Sequence, residues 1–436
     1  MGNQFIFDYV IMDEASQTRL FNTLPILSRA KNLVIVGDDK QLQQINEYEK
    51  EGAKIYQRYQ DIIPRFYNDS SNNFLSLIIK SNPSIKKVML REHYRCHPQI
   101  INFCNKKFYN NELIIMTKDK GEKNILELQQ TPIGNHATWS KLEGTSNLRE
   151  IDTIKLILED LYFKNMQKNK IGIITPYKRQ CEKINDELKG EIEAVYTVHK
   201  IQGNEKDAII FSTTDNQISN FVNNHELINV AVSRAKNKFI LVTNWNKKQL
   251  KISEKQQTNI IDDLAEYIRY INKNNANMQI RVESIFDLLY SQYKNEREML
   301  LKNSTKISQY DSENIFYLFL SKVIKDYPSL DITFEYSLNL LIKDKTILKD
   351  FPELIKFASN NWSHIDFIIY NKITKRPILA IEVDGYSTHD NNAKQKVRDA
   401  KKDEILKLYN FPLLRLSTKG ADEYKKISGV LDKILF

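Results

Sequence analysis

Cysteine is scarce in this 436-residue chain, and the three present, Cys96, Cys104 and Cys181, show no CxxC spacing. They are one thiolate short of the four an iron-sulfur cluster usually takes, so they read as core or incidental thiols. Long apolar runs are missing too. None approaches the length of a membrane span, and the N-terminus lacks the basic-then-apolar layout of a secretory signal. There is no internal repeat and no low-complexity stretch. These absences point to a cytoplasmic, reducing setting with no membrane partner.

What is present is charge and aromatic surface. Lys and Arg number 64 against 55 Asp and Glu, a formal net charge of +9, with 22 Tyr and 20 Phe alongside. A basic balance with interleaved rings suits an anionic partner whose bases can stack, and nucleic acid is the leading candidate. Apolar runs such as "FDYVIM", "NLVIVGD", "KIGIITPY", "DAIIFST" and "KFILVTN" alternate with helical patterns through about residue 245. Continuous runs of this kind suit strands buried on both faces of a parallel sheet, so the fold class is α/β. Residues 44–87 break that rhythm and read as an inserted helical segment. Residues 251–303, with "IIDDLAEYIRYI" and "VESIFDLLYSQY", read as a helical connector. From about Ser304 a second α/β pattern begins, with "HIDFIIYN", "ILAIEVDG" and "LLRLS" as strands.

The chemistry lies at strand ends. "VIMDEAS" sets Asp13 and Glu14 where one carboxylate can hold Mg²⁺ and the other can orient water. "VIVGDDKQLQQ" offers Asp38 and Gln41, "LREHYRCHPQI" offers Arg95, and "INVAVSRAKNKFILV" offers Arg234, the arginines being planar donors suited to phosphate oxygens. In order and wording, residues 5–245 resemble the superfamily-one helicases of the DEAA/DEAS type, the Upf- and Dna-like branch with GDxxQL, YRMHP, TPYxxQ, QGxE and NVAxTRA signatures. The resemblance implies two RecA-like domains, in 1–145 and 146–250, that use ATP and Mg²⁺. It makes Asp13 the Mg²⁺ ligand, Glu14 the catalytic base, and Gln41, Arg95 and Arg234 the γ-phosphate contacts. It assigns Tyr94, Gln202, Gly203 and Glu205 to nucleotide binding, and Thr175, Pro176, Tyr177 and Thr197 to a single strand of nucleic acid, read five-prime to three-prime. The chain departs from the family at Gln43-Gln44, where a proline pair is usual, and at His199 and Ile201, where Asp and Phe are usual.

No GxxxxGK[ST] phosphate-binding loop occurs in these residues. In the family it precedes the DEAS strand, so the first RecA-like domain reads as incomplete. The chain is expected to be the C-terminal part of a helicase, its loop supplied by an upstream region or by a separate chain.

The tail carries a second constellation. Asp366 in "HIDFIIYN" and Glu382 and Asp384 in "ILAIEVDG" lie on strands that a basic turn can fold into a hairpin. Alternation puts Glu382 and Asp384 on one side, and three converging carboxylates would need a divalent cation. Downstream, Gln395, Arg398, Asp399 and Lys402 share one helical stripe. Residues 304–436 resemble the restriction-endonuclease-like PD-(D/E)xK nucleases, in particular those related to very-short-patch repair endonucleases. The resemblance implies an α/β nuclease domain using Mg²⁺, with Mn²⁺ an alternative. Glu313 would be the helix acid, Asp366 and Glu382 the metal ligands, and Lys402 the cation replacing the usual ExK lysine, whose place Asp384 takes; alternation alone makes Asp384 a third candidate metal ligand. His389 offers a group that could polarise water.

The reading is thus a helicase-nuclease fusion acting on nucleic acid, with DNA favoured and translocation on RNA the alternative, in repair or in defence against foreign DNA. Two alternatives stand beside it: an ATP-independent metal nuclease on an inert RecA-like platform, and a non-catalytic nucleic-acid-binding module.

Overall fold

The structure, a computed structural model, describes residues 5–43, 49–62, 73–132, 134–140, 144–244, 259–272, 282–302, 304–385 and 393–435. His389 and Gln44 lie outside them. The chain forms two compact units, Met1–Leu128 with Asn165–Met278, and Gln129–Lys164 with Gln279–Phe436. The C-terminal unit thus draws in residues 129–164 from the middle of the chain.

In the first unit, β1 (Phe7–Met12) and β2 (Ala30–Ile35) pair in parallel. They were expected to be buried on both faces. Instead they form a two-stranded sheet on which Tyr9 and Ile11 are 68% and 71% exposed. Two strands alone cannot cover each other's faces, whatever their apolar content. The second sheet matches the expected pattern. It combines β3 (Leu126–Gln130), β4 (Ile171–Thr175), β5 (Ala194–Thr197), β6 (Lys206–Ser212) and β7 (Ala235–Thr243) in the order β3-β7-β6-β4-β5. The β7/β6, β6/β4 and β4/β5 pairs are all parallel. Every residue of β4 is buried, as a central parallel strand with helices on both sides requires. Helices α1 (Pro98–Phe108), α2 (His225–Ser233) and α3 (Ile260–Ile271) supply Phe103, Val230 and Leu264 to the same core. The first part of the expected connector, α3, is thus an integral layer of this unit.

The second unit holds a four-stranded mixed sheet of β8 (Leu330–Ser337), β9 (His364–Asn371), β10 (Pro377–Asp384) and β11 (Leu413–Ser417), in that order. β8, β9 and β10 run antiparallel in turn, and β11 pairs with β10 in parallel. Alternation sorts the side chains. Phe367, Ile369, Leu379 and Ile381 pack with Phe316 of α4 (Asp311–Val323), while Ile368 and Ala380 pack with Ile405 and Leu406 of α5 (Ala393–Leu408). "VESIFDLLYSQY" was expected to be helical but breaks into two 3₁₀ turns, Ile285–Leu289 and Ser291–Tyr293. Phe286 there stacks on Phe316 at 5.9 Å, and the side chain of Asp287 is held by Arg149. Long-range anchors on neighbouring residues override the local helical period.

Candidate functional site

The first constellation assembles at strand ends of the first unit. Beyond β1, Asp13 accepts the amide N–H of Glu14 at 2.8 Å, and Glu14 adopts a left-handed backbone at φ +51°. Beyond β2 comes Gly37, where a Cβ would meet the backbone nitrogens of Ser16 and Ala15 at 3.2 and 3.3 Å. A glycine is what lets the Asp13–Ser16 turn lie against this loop, fixed by the Ala15 N–H bond to the Val36 carbonyl at 2.9 Å. Asp38 Oδ2 then accepts Gln41 Nε2 at 2.9 Å and the Tyr109 hydroxyl at 2.6 Å. Gln41 Oε1 accepts Arg234 Nη2 at 2.9 Å.

Arg234 caps the C-terminus of α2, an ordinary place for a cation, yet is only 4% exposed. Its Nε has no hydrogen-bond partner among the described residues. Burial, then the neighbouring Arg95, lowers its pKa, and Glu14 opposes them. An anion would relieve that field and take the orphan N–H, so the site fits phosphate oxygens. Arg95 and Glu205 pair with each other. Arg95 Nε lies 2.6 Å from Glu205 Oε2, and Lys236 Nζ lies 2.9 Å from the other oxygen. Tyr94 is exposed, its hydroxyl donating to Glu92, which leaves its ring available for stacking. Gln202 Nε2 donates to the Leu42 carbonyl at 3.2 Å, and Gly203 is exposed at φ +82°. The sequence reading missed Tyr109, Asn229 and Lys236. Asn229, which donates to the Lys40 carbonyl and the Tyr109 hydroxyl, sits inside the motif already quoted for Arg234.

The residues expected to meet the single strand lie at the ends of β4 and β5. Thr175, Pro176 and Thr197 are buried, and the Thr175 hydroxyl is 2.9 Å from that of Thr214. Thr175 is fully enclosed and Thr197 is 7% exposed. Tyr177 is partly exposed, its ring tilted against Phe221 at 5.5 Å. Phe221 is itself 48% exposed and was not singled out from the sequence.

In the second unit the expected hairpin forms, and its register brings the acids together. The Val383 N–H donates to Asp366 Oδ2 at 2.8 Å. Glu382, 2% exposed, receives Lys402 Nζ on both oxygens at 2.8 Å. Lys402 stands three and four residues before Ile405 and Leu406, the α5 side chains that cover this sheet face, so one stripe carries both core and cation. Burial, reinforced by Asp366, raises the Glu382 pKa to about 8. Burial also raises Glu313, with Asp366 and Glu335 adding and Lys402 opposing. Burial is the larger cause of both shifts and the neighbouring acids add to it, an environment that a divalent cation would relieve, but the carboxylate oxygens of Glu313, Asp366 and Glu382 do not all lie within 4.8 Å of one another. Asp384 does not join them. Its carboxylate pairs with Arg415 Nη1 at 2.7 Å, and Arg415 Nε reaches Asp403 at 2.9 Å, a link that no local spacing predicts.

Among the described residues, the group of three ligand-type side chains lying within 4.8 Å of one another is His97, Asp119 and Glu122. There His97 Nδ1 accepts the Gln99 N–H at 3.2 Å as the cap of α1, and its Nε2 lies 3.6 Å from a carboxylate oxygen of each acid.

Comparison with known proteins finds helicase relatives. Residues 71–246 and 1–45 match two family models each described as an AAA domain, and residues 307–434 match one described as a protein of unknown function, DUF2726. The chain is similar to the uncharacterized ATP-dependent helicase MG140 of Mycoplasma genitalium, at 29% identity over 265 residues, covering 54% of this chain and 23% of that protein. It is similar to the MG140 homolog of Mycoplasma pneumoniae at 25% identity over 407 residues, covering 82% of this chain and 35% of that protein. Among solved structures, an arterivirus nonstructural protein 10 (helicase) in complex with DNA is 13% identical, covering 55% of this chain and 40% of that one, at a TM-score of 0.30. The chain thus has relatives named as ATP-dependent helicases and spans about a quarter to a third of the length of these two.

Proposed function

We propose that this chain serves an ATP-dependent nucleic-acid translocase of the helicase type, and that its C-terminal unit is a metal-dependent nuclease working on the same strand. The observation that carries the motor is Arg234, a buried guanidinium with an unpartnered Nε, tied through Gln41 to Asp38 and lying in the field of Glu14. Bound ATP with Mg²⁺ would supply the phosphoanhydride and its counter-charge. Asp13 would hold the ion, Glu14 would orient water, and Arg234, with Arg95 released from Glu205, would meet the charge on the phosphate. The phosphate-binding loop would come from sequence or a chain outside residues 1–436.

The nuclease reading is favoured by the buried Glu382–Lys402 pair beside Asp366. A divalent cation there would supply an activated water for phosphodiester cleavage. Glu382 and Asp366 would hold it, and Lys402 would keep Glu382 oriented and present positive charge to the phosphate. DNA is the favoured substrate, repair or defence the setting, and the cytoplasm, which suits three buried free thiols, the compartment.

The test is nucleic-acid-stimulated ATP hydrolysis and Mg²⁺- or Mn²⁺-dependent DNA cleavage by protein that includes a phosphate loop. Glu14→Gln should remove the first and spare the second, and Glu382→Gln the reverse. Cleavage without any ATP hydrolysis would leave a nuclease on an inert platform. Binding with neither activity would leave a non-catalytic module.

A further inference from the structure

We infer that Arg149, which lies in sequence among the motifs of the first unit, is a positioning residue for the cleavage site of the second. The inference rests on the nuclease reading for its functional consequence, but not for its geometry. Arg149 is wholly buried. Its Nη1 and Nη2 donate to the two oxygens of Asp287 at 3.0 and 2.8 Å, and its Nε donates to the Gly420 carbonyl at 3.0 Å. A bidentate guanidinium fixes direction as well as distance, which an apolar side chain filling the same space would not.

Gly420 belongs to the turn that follows β11, and the same middle segment grips that turn at further points. Asp152 Oδ2 accepts the Ala421 N–H at 2.9 Å, and the Ala137 carbonyl accepts Lys419 Nζ at 3.1 Å. On its other side the turn holds the end of β10, where the Thr418 N–H donates to the Asp384 carbonyl at 3.0 Å. Asp384 is two residues from Glu382, and in the parallel register Glu382 faces Arg415 and Asp384 faces Ser417. Arg415 in turn ties Asp384 to Asp403, the neighbour of Lys402. From Arg149 through Gly420, Thr418 and Asp384 to Glu382, the path consists of hydrogen bonds and a few peptide units. The segment that carries the clamp leaves β3 at one end and leads into β4 at the other, so it is covalently continuous with the first unit's five-stranded sheet.

The experiment uses the whole protein as Arg149→Met, Arg149→Lys and Asp152→Asn. Amide hydrogen exchange is read at residues 417–422 and 382–384, together with Mn²⁺ binding and Mn²⁺-dependent cleavage of a labelled DNA oligonucleotide. Arg149→Met should speed exchange in both stretches, weaken Mn²⁺ binding and slow cleavage by about tenfold or more, as loss of outer-shell support does elsewhere. Arg149→Lys should recover part of each. Exchange that changes only around Asp287, or cleavage and Mn²⁺ half-saturation within about twofold of the parent, overturns the proposal. Should Arg149→Met fail to fold, Asp152→Asn decides by the same readouts, with a smaller effect expected and no effect fatal. If the parent protein cuts nothing, the nuclease reading has failed by itself. Faster exchange and weaker Mn²⁺ binding at 382–384 then still uphold the clamp, and unchanged values reject it.

Discussion

Arg234 and Glu382 are the residues on which the two proposed chemistries turn, and each is defined by what burial does to its charge. For Arg234, the Gln41 and Asp38 relay holds the guanidinium while leaving Nε without a partner among the described residues. Arg234→Ala should lower nucleic-acid-stimulated ATP turnover by about a thousandfold, the usual worth of such an arginine, while nucleic-acid affinity stays within a few-fold. A steady-state ATPase assay beside a binding titration checks this, and turnover within tenfold of the parent would count against the role. Glu382 gives a pH dependence. Its folded pKa is raised from an ordinary 4.5 to about 8, so its neutral form contributes stability that is complete below about 4.5 and lost as the pH rises through about 8. A cation that needs the carboxylate must displace that proton. Divalent-cation affinity should therefore climb from about pH 6 to about pH 8 and then level, with proton uptake by buffer visible in calorimetry. Glu382→Gln should abolish both the binding and the slope, and affinity independent of pH over that range would sink the assignment.

At the scale of elements, α2 shows how a site residue depends on a helix end remote from it. Asn224 accepts the Leu227 N–H at 2.8 Å and starts the helix whose last turn carries Arg234. Asn224→Ala should cost about 1 kcal/mol in denaturant unfolding, yet reduce ATP turnover far less than Arg234→Ala, because the cap orders the helix without touching phosphate. Elements with a strong intrinsic period were legible in the sequence. "HIDFIIYN" forms a strand over His364–Asn371, and "IIDDLAEYIRYI" forms a helix over Ile260–Ile271. β8 was not recognised, because "LDITFEYS" is an edge strand with mixed exposure and few consecutive apolar residues. The helical reading of "VESIFDLLYSQY" failed for a different reason, since Asp287 answers to Arg149, 138 positions earlier in the chain. Site residues divide the same way. Asp13, Gln41, Asp366 and Lys402 sit on motifs that survive as local patterns. The Asp384–Arg415 pair and the burial of Thr175 depend on which strands become neighbours, and no spacing in one strand reveals that.

At the scale of the whole molecule, sequence order and spatial order part company, since residues 129–164 fold with the C-terminal unit. A fragment starting at residue 304 lacks Arg149, Asp287 and the buried ring of Phe286, and should show no single cooperative unfolding transition. A sharp melt from that fragment would show that the middle segment is dispensable. The remaining property belongs to the molecule's summed charge. With 64 basic against 55 acidic side chains, the +9 balance favours a polyanion, and binding to one proceeds by release of condensed counterions. Each neutralised phosphate of a single strand contributes roughly 0.7 to the slope of log affinity against log salt, so about six contacts imply a loss of a hundredfold or more between 50 and 200 mM. Stacking obeys a different rule. Tyr177 and Phe221 form a tilted aromatic pair in which Phe221 is 48% exposed, and removing either ring should cost about 1–3 kcal/mol of single-strand affinity while leaving the salt slope unchanged. Fluorescence anisotropy titrations across a salt series, with the parent protein, Tyr177→Ala and Phe221→Ala, separate the two contributions. A flat salt dependence would remove the electrostatic argument, and ring variants that bind like the parent would place the strand elsewhere on the first unit.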